Sequence, residues 1–258
     1  MPSQATESRR SAIVDLALSA GLASVEELST RFGVTSSTIR RDLARLTTEG
    51  RIARTYGGAI AVIAHAEPTL RQRRGEAHDA KVAIGRWAAS QVHPGDTVIL
   101  DAGSTVGAMA EALRGARDLT VATVSLTVID ELAESEGVVL ECLGGRLRTV
   151  SGGFVGPLAE AALERMTGDA VFLGTDGVSA EGEICEADLQ QTRLKEIMVR
   201  RAERVFVLAH GGKIGIAPFH AWLRIPPPWT LVTDATADEE CVAALRERGV
   251  EVVVVGAD

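Results

Sequence analysis

VEELSTRFGVTSSTIRRDLARLTTEGRIARTYGGA, residues 25–59, holds two helix signals separated by a tight turn, and its reading decides the architecture of the N-terminal part of the chain. Ser24-Val25-Glu26-Glu27 forms a capping box that opens a helix with Val25, Leu28 and Phe32 on its buried side, and Gly33 ends it. After the Gly33-Val34 turn, Thr35 can cap a further helix running to about Glu49, where Gly50 stops it. At helical spacing Ile39, Asp42, Leu43 and Leu46 share one side, while Ser37, Arg41, Ala44, Arg45 and Thr48 lie opposite. The leucine side belongs to a core. The other carries arginines and hydroxyls, which suit phosphate oxygens and the major-groove edge of guanine. Arg40 lies between the faces, placed either to grip a phosphate or to pair with a carboxylate.

Working outward, Ile13, Leu16, Ala17 and Ala20 predict a first helix over residues 8–20, closed at Gly21. Residues 51–58 alternate charged and apolar side chains before a glycine pair, as a short two-stranded wing would, with Arg54 and Tyr56 in reach of a nucleic-acid backbone. Three helices and a hairpin give a winged helix-turn-helix over residues 1–58. A small protein-binding module with a solvated arginine face is the alternative from these residues alone.

The remainder is a second domain. A chain of 258 residues with 46 % apolar content can bury two cores. No run of about 18 apolar residues free of charge occurs, so neither a signal peptide nor a membrane span is indicated, and a cytoplasmic protein is expected. The net charge of -8 argues against indiscriminate nucleic-acid binding, yet residues 35–58 hold five arginines against Asp42 and Glu49, a local +3. One basic face at one end is implied. Cys142, Cys185 and Cys241 lack CxxC spacing and sit in or beside apolar stretches, so they read as buried thiols. His65, His78, His93, His210 and His220 are scattered, so no metal is expected, and no complete GxGxxG or Walker motif calls for a cofactor.

Residues 59–80 lack periodicity, contain Pro68 and carry Arg71, Arg73 and Arg74 among acids; they read as a linker, with the second domain starting near 81. From there strands at 97–101, 119–123, 138–142, 170–173, 205–209, 231–233 and 250–255 alternate with helical stretches, predicting an α/β domain with a mostly parallel sheet. Such sheets bind ligands beyond the carboxyl ends of their strands. Five loops qualify: Asp101-Ala-Gly103-Ser104-Thr105, Thr123-Val-Ser125, Gly144-Gly145-Arg146, Gly174-Thr-Asp176-Gly177 and Ala209-His-Gly-Gly-Lys213. The first presents hydroxyls and amides at a helix start, a place for an anion, and Arg146 or Lys213 is available to neutralise a phosphate.

Residues 25–59 resemble the N-terminal signature of the DeoR family of bacterial sugar-regulon repressors. The order LDAGST, TVSL, LGGRLRTVSGGFVGP, FLGTDGVSAEG and LAHGGKIG is similar to the sensor domain of the same family, itself like sugar-phosphate isomerases of the ribose-5-phosphate type. The resemblance implies that Ser36, Ser37, Thr38, Arg40, Arg41 and Arg45, with Thr35 before them, contact double-stranded operator DNA. It assigns Asp101, Gly103, Ser104, Thr105 and Lys213 to an effector pocket, with Ser125, Gly144, Gly145 and Arg146 as neighbours. Asp176 joins them from the loop reading. A repressor of a carbohydrate operon is implied, acting as a homo-oligomer and controlled by a phosphorylated sugar metabolite; an isomerase-like enzyme with a DNA-binding head is the alternative. His210 and Gln191 stand where the family commonly has acids, so the effector need not be an ordinary sugar phosphate.

Overall fold

The computed structural model describes residues 6, 8–10, 12, 13, 22–48, 52–54, 60–62 and 67–256, and the chain divides into two compact units, Met1–His65 and Ala66–Asp258. In the first, β1 (Leu22–Ala23) is followed by α1 (Val25–Phe32), α2 (Ser36–Thr48), β2 (Ile52–Arg54) and β3 (Ile60–Val62). The three strands form an antiparallel sheet in the order β1-β3-β2. Ile13, Val25, Leu28, Ile39, Leu43 and Leu46 make its core, so the apolar stripes of α1 and α2 face each other. Residues 8–10, 12 and 13 are helical; 14–20 of the expected first helix, and Tyr56 of the expected wing, lie outside the described residues.

The second unit opens with α3 (Leu70–Gly75) and α4 (His78–Ala89). There follow β4 (Thr97–Leu100), α5 (Ser104–Ala112), β5 (Leu119–Thr123), α6 (Leu126–Leu132), β6 (Val138–Cys142), β7 (Arg146–Arg148), β8 (Gly153–Val155), α7 (Pro157–Leu163) and β9 (Gly168–Leu173). The chain continues through β10 (Gly177–Val178), β11 (Glu183–Glu186), α8 (Leu189–Arg200), β12 (Ala202–Leu208), β13 (Ala221–Arg224), β14 (Thr230–Asp234), α9 (Glu239–Glu247) and β15 (Glu251–Val255). Seven strands pair in parallel in the order β15-β14-β12-β9-β4-β5-β6.

Strand residues alternate between two cores because successive side chains point to opposite faces. Val98, Leu100, Ala170 and Phe172 pack with Ile84, Ala88, Val106 and Met109 from α4 and α5. Ile99, Val171, Leu173 and Val207 pack on the other face with Leu163, Leu194, Ile197 and Leu245 from α7, α8 and α9. The sheet is thus covered by helices on both sides, as an all-parallel sheet requires. Gly85 lets α4 approach α5 closely: a Cβ there would lie 2.6 Å from the Met109 nitrogen.

The stretch read as a linker is largely structured, contributing β3 to the hairpin and α3 and the start of α4 to the second unit. Thr69 and Gln72 cap α3 reciprocally, a signal that pattern reading passed over because the helix buries no residue. Cys142 departs from the expected buried thiols. It ends β6, an edge strand with alternate residues in solvent, and is exposed, whereas Cys185 and Cys241 are buried. Among the described residues no helix is long and apolar enough to cross a membrane.

Candidate functional site

On α2, Ile39, Leu43 and Leu46 are buried, and Ser37, Arg40, Arg41 and Arg45 are exposed. The sign of that face is set from beneath. Asp42, 2 % exposed, accepts from Arg9 Nε and Arg10 Nε, each at 2.8 Å, so the helix's one acid is neutralised by the preceding segment. Thr35 Oγ1 lies 2.9 Å from both Ser37 Oγ and Thr38 Oγ1, and accepts from the Thr38 amide at 3.3 Å. This hydroxyl cluster organises the first turn, with Ser36 half-buried beside it. Arg54 is in β2.

A cleft opens at the carboxyl ends of β4 and β9, lined by Arg73, Gly103, Ser104, Thr105, Ser151, Thr175, Asp176, Glu186, Gln191, Lys195 and Lys213. Gly103 has φ +151°, a conformation that suits glycine, and turns the chain so that α5 starts at the cleft. Among the described residues no side chain caps α5, so its first amides remain donors at the positive end of the helix. Below them lies a buried charge cluster. Lys195 Nζ donates to Glu186 Oε1 at 2.6 Å and to the Gly174 carbonyl at 2.6 Å, and stands 2.9 Å from Asp101 Oδ2. Asp101 also accepts from the Gly174 amide at 3.1 Å. Burial pushes the Glu186 carboxyl up to about 7, against the pull of Lys195. Burial also works against the Lys195 charge, yet Asp101 and Glu186 together hold its pKa above the ordinary value.

At the mouth, Asp176 accepts from Arg73 Nη1 at 2.9 Å and from the Ala187 amide at 3.3 Å, with Lys213 Nζ 3.9 Å away. Lys213 Nζ donates to the Thr175 carbonyl. Burial lowers the Lys213 pKa, and Asp176 opposes that shift. The free space is about 20 Å³, room for roughly one water, so a larger ligand requires lining side chains such as Lys213 to move.

Of the residues expected at the pocket, Gly103, Ser104, Thr105, Asp176 and Lys213 come together here, and Asp101 supports the floor through Lys195. Ser125, Gly144, Gly145 and Arg146 do not. Ser125 is buried as the cap of α6, accepting from the Val128 amide at 3.3 Å. The β7–β8 hairpin folds back along the end of β5, with the Phe154 amide donating to the Val124 carbonyl at 2.7 Å, and brings Ser151 to the cleft in place of the glycines before it. Gly145 backs onto Val155, and Arg146 Nη2 donates outward to Gln190 Oε1 at 2.6 Å. His210 is buried, its Nε2 has no partner among the described residues, and burial followed by Lys213 and Lys81 lowers its pKa, yet it does not line the cleft. Sequence reasoning missed Arg73, Ser151, Glu186 and Lys195. Glu186 and Lys195 lie among other charged residues, Glu183 and Asp188 around the first and Arg193 and Glu196 around the second, so the sequence does not single them out.

Comparison with known proteins accounts for both parts. The DeoR-like helix-turn-helix domain matches residues 9–64, and the DeoR C terminal sensor domain matches residues 76–235. The HTH-type transcriptional repressor GlcR of Bacillus subtilis is 33 % identical, covering 98 % of this chain and 97 % of that protein. The HTH-type transcriptional regulator GlpR of Haloferax volcanii is 32 % identical over 95 % and 96 %. The glycerol-3-phosphate regulon repressor of Escherichia coli K12 is 30 % identical over 80 % and 82 %. Among solved structures, ribose 5-phosphate isomerase A of Methanocaldococcus jannaschii aligns over 53 % of this chain and 54 % of that one, at 17 % identity and a TM-score of 0.39. With helix-turn-helix and sensor domain matched in order, and relatives aligned along nearly the whole length, the chain belongs to the DeoR family of transcriptional regulators.

Proposed function

We propose that this regulator represses a carbohydrate-metabolism operon by binding double-stranded operator DNA through α2, and that a phosphorylated sugar or polyol in the cleft controls that binding. Thr35, Ser36, Ser37, Thr38, Arg40, Arg41 and Arg45 are the DNA-contacting set, with Arg54 and Tyr56 reaching the backbone. Arginine on the exposed face, held over a neutralised Asp42, suits phosphate and guanine contacts. A homo-oligomer in the cytoplasm reading a repeated site is the matching assembly. Residues up to 58 act as the DNA-binding domain and those from 81 as the body of the sensor.

The observation that carries the effector reading is the uncapped start of α5, with the Ser104 and Thr105 hydroxyls, facing the same cleft as Lys213 and Arg73. Amides at a helix start and adjacent cations are a phosphate site in chemical terms. The names of relatives support the class, one being a repressor of a glycerol-3-phosphate regulon. An isomerase activity has less support, since these relatives are regulators and repressors.

A thermal-shift screen against sugar phosphates, free sugars and polyols tests the proposal, because a ligand at 100 times its Kd adds about 2.7 kcal/mol to stability. The expected hit is a phosphorylated compound whose shift disappears in Ser104→Ala and Lys213→Ala. A shift with only unphosphorylated ligands refutes the phosphate assignment.

A further inference from the structure

Arg73 lies in the stretch that read as a connector, eight residues beyond His65, where the DNA-reading unit ends. Its Nη1 donates to Asp176 Oδ1 and its Nη2 to Glu67 Oε1, each at 2.9 Å. Glu67 is also held by Arg148, whose Nη1 donates to the same Oε1 at 2.8 Å and whose Nη2 donates to Oε2. Arg74 Nη2 donates to Thr127 Oγ1 at 3.1 Å, and the Leu70 amide to the Val150 carbonyl at 2.8 Å. The six-residue helix α3 buries no side chain. A helix this short has little stability of its own, so α3 depends on these polar anchors.

The anchors are unevenly satisfied at the cleft. Asp176 alone serves both Arg73 and Lys213, and Glu67 is shared by Arg73 and Arg148. Arg73 Nε is buried without an acceptor among the described residues, although the same side chain forms part of the cleft wall. A guanidinium with one donor unfilled among the described residues, beside a lysine with which it shares Asp176, is completed by a tetrahedral dianion.

Resting on the reading of the cleft as a phosphate site, we infer that Arg73 is itself a ligand for the effector's anionic group, so that occupation of the cleft fastens α3 to the sensor domain. Arg73 is then both a binding residue and the first step from effector to connector. Ligand binding tightens the segment that leads from the DNA-reading unit, and the control passes through order in α3.

Hydrogen exchange on the full-length chain tests this, with inorganic phosphate as the probe and chloride at matched ionic strength as the control. Phosphate is expected to slow exchange several-fold both at residues 104–106 and at residues 70–76. In Arg73→Ala the half-saturating phosphate concentration rises about tenfold and residues 70–76 cease to respond. Arg73→Lys keeps the charge without the planar fork and falls between, which separates loss of a ligand from loss of folding. Slowing confined to residues 104–106 in the wild type overturns the role of Arg73 and leaves the phosphate site standing, as does an unchanged response in Arg73→Ala. Absence of any response at either segment removes the phosphate reading and this inference together.

Discussion

Replacing Lys195 by methionine keeps most of the unbranched side chain, one heavy atom shorter, and deletes its charge, leaving Asp101 and Glu186 as two buried carboxylates without their shared cation. Lys195 is 1 % exposed, and its ammonium spends its donors on Asp101, Glu186 and the Gly174 carbonyl, so no solvent can replace it. Breaking a buried ion pair by removing one partner costs about 3–5 kcal/mol. With a urea slope of about 3 kcal/mol/M, the midpoint should fall by about 1–1.7 M. Trp87, Trp222 and Trp229 all lie in the second unit, so tryptophan fluorescence reads that unit alone. The sign of the pH dependence follows from Glu186. Its folded pKa, raised by burial from 4.5 to about 7 with Lys195 opposing, means that its stabilising contribution is complete below 4.5 and lost as pH rises through 7. Without Lys195 the carboxyl rises further, so the variant's deficit relative to wild type should be smaller at about pH 5.5 than at about pH 8. A deficit under about 1 kcal/mol at the higher pH, or one equal at both, would refute the argument.

Arg41→Ala should weaken binding to duplexes that the wild type selects from a random pool by about 1–3 kcal/mol and lower the salt slope by about one, with the thermal response to effector unchanged. Loss of both responses would mean damage to folding instead. Gly85→Ala should destabilise the second unit by about 1–3 kcal/mol in the same urea titration, because its Cβ would meet backbone atoms at 2.6 Å and 2.7 Å; an unchanged midpoint would show that α4 and α5 can separate freely.

The large elements were legible because each repeats its signal several times. All seven expected strands are the seven strands of the parallel sheet, β-branched runs of five or so residues separated by helical spacing. The faces of α2 followed from 3.6-residue periodicity alone. Shorter elements carry too few residues for a period: β7, β8, β10, β11 and β13 span two to four residues each, and α3 has no apolar stripe. Those are the pieces that shape the cleft. The rule that loops after parallel strands converge placed Ser104, Asp176 and Lys213 correctly at one opening, and failed at Gly144–Arg146, where a hairpin that folds back on Val124 changes which residue arrives. The grouping of Asp101, Glu186 and Lys195 is a property of topology. Glu186 and Lys195 are sequence neighbours at the end of β11 and in α8, but Asp101 comes from the end of β4, far earlier in the chain, and meets them because β4 is inserted beside β9.

That insertion also sets an order of events on the ribosome. β4 pairs with β5 on one side and with β9 on the other, and β9 ends at Leu173, 108 residues beyond His65. At about 5–20 residues per second, roughly 5–20 s separate the emergence of the finished DNA-reading sequence from that of the strand that closes the middle of the sheet. In the later part of that interval, once β4 and β5 have been made, the nascent chain carries a complete head while the other side of β4 presents unpaired amides and carbonyls flanked by valine and isoleucine. Translation stalled between Thr123 and Gly168 would therefore yield a fragment with a finished head and an open, adhesive sheet edge, the form of this chain most in need of a chaperone.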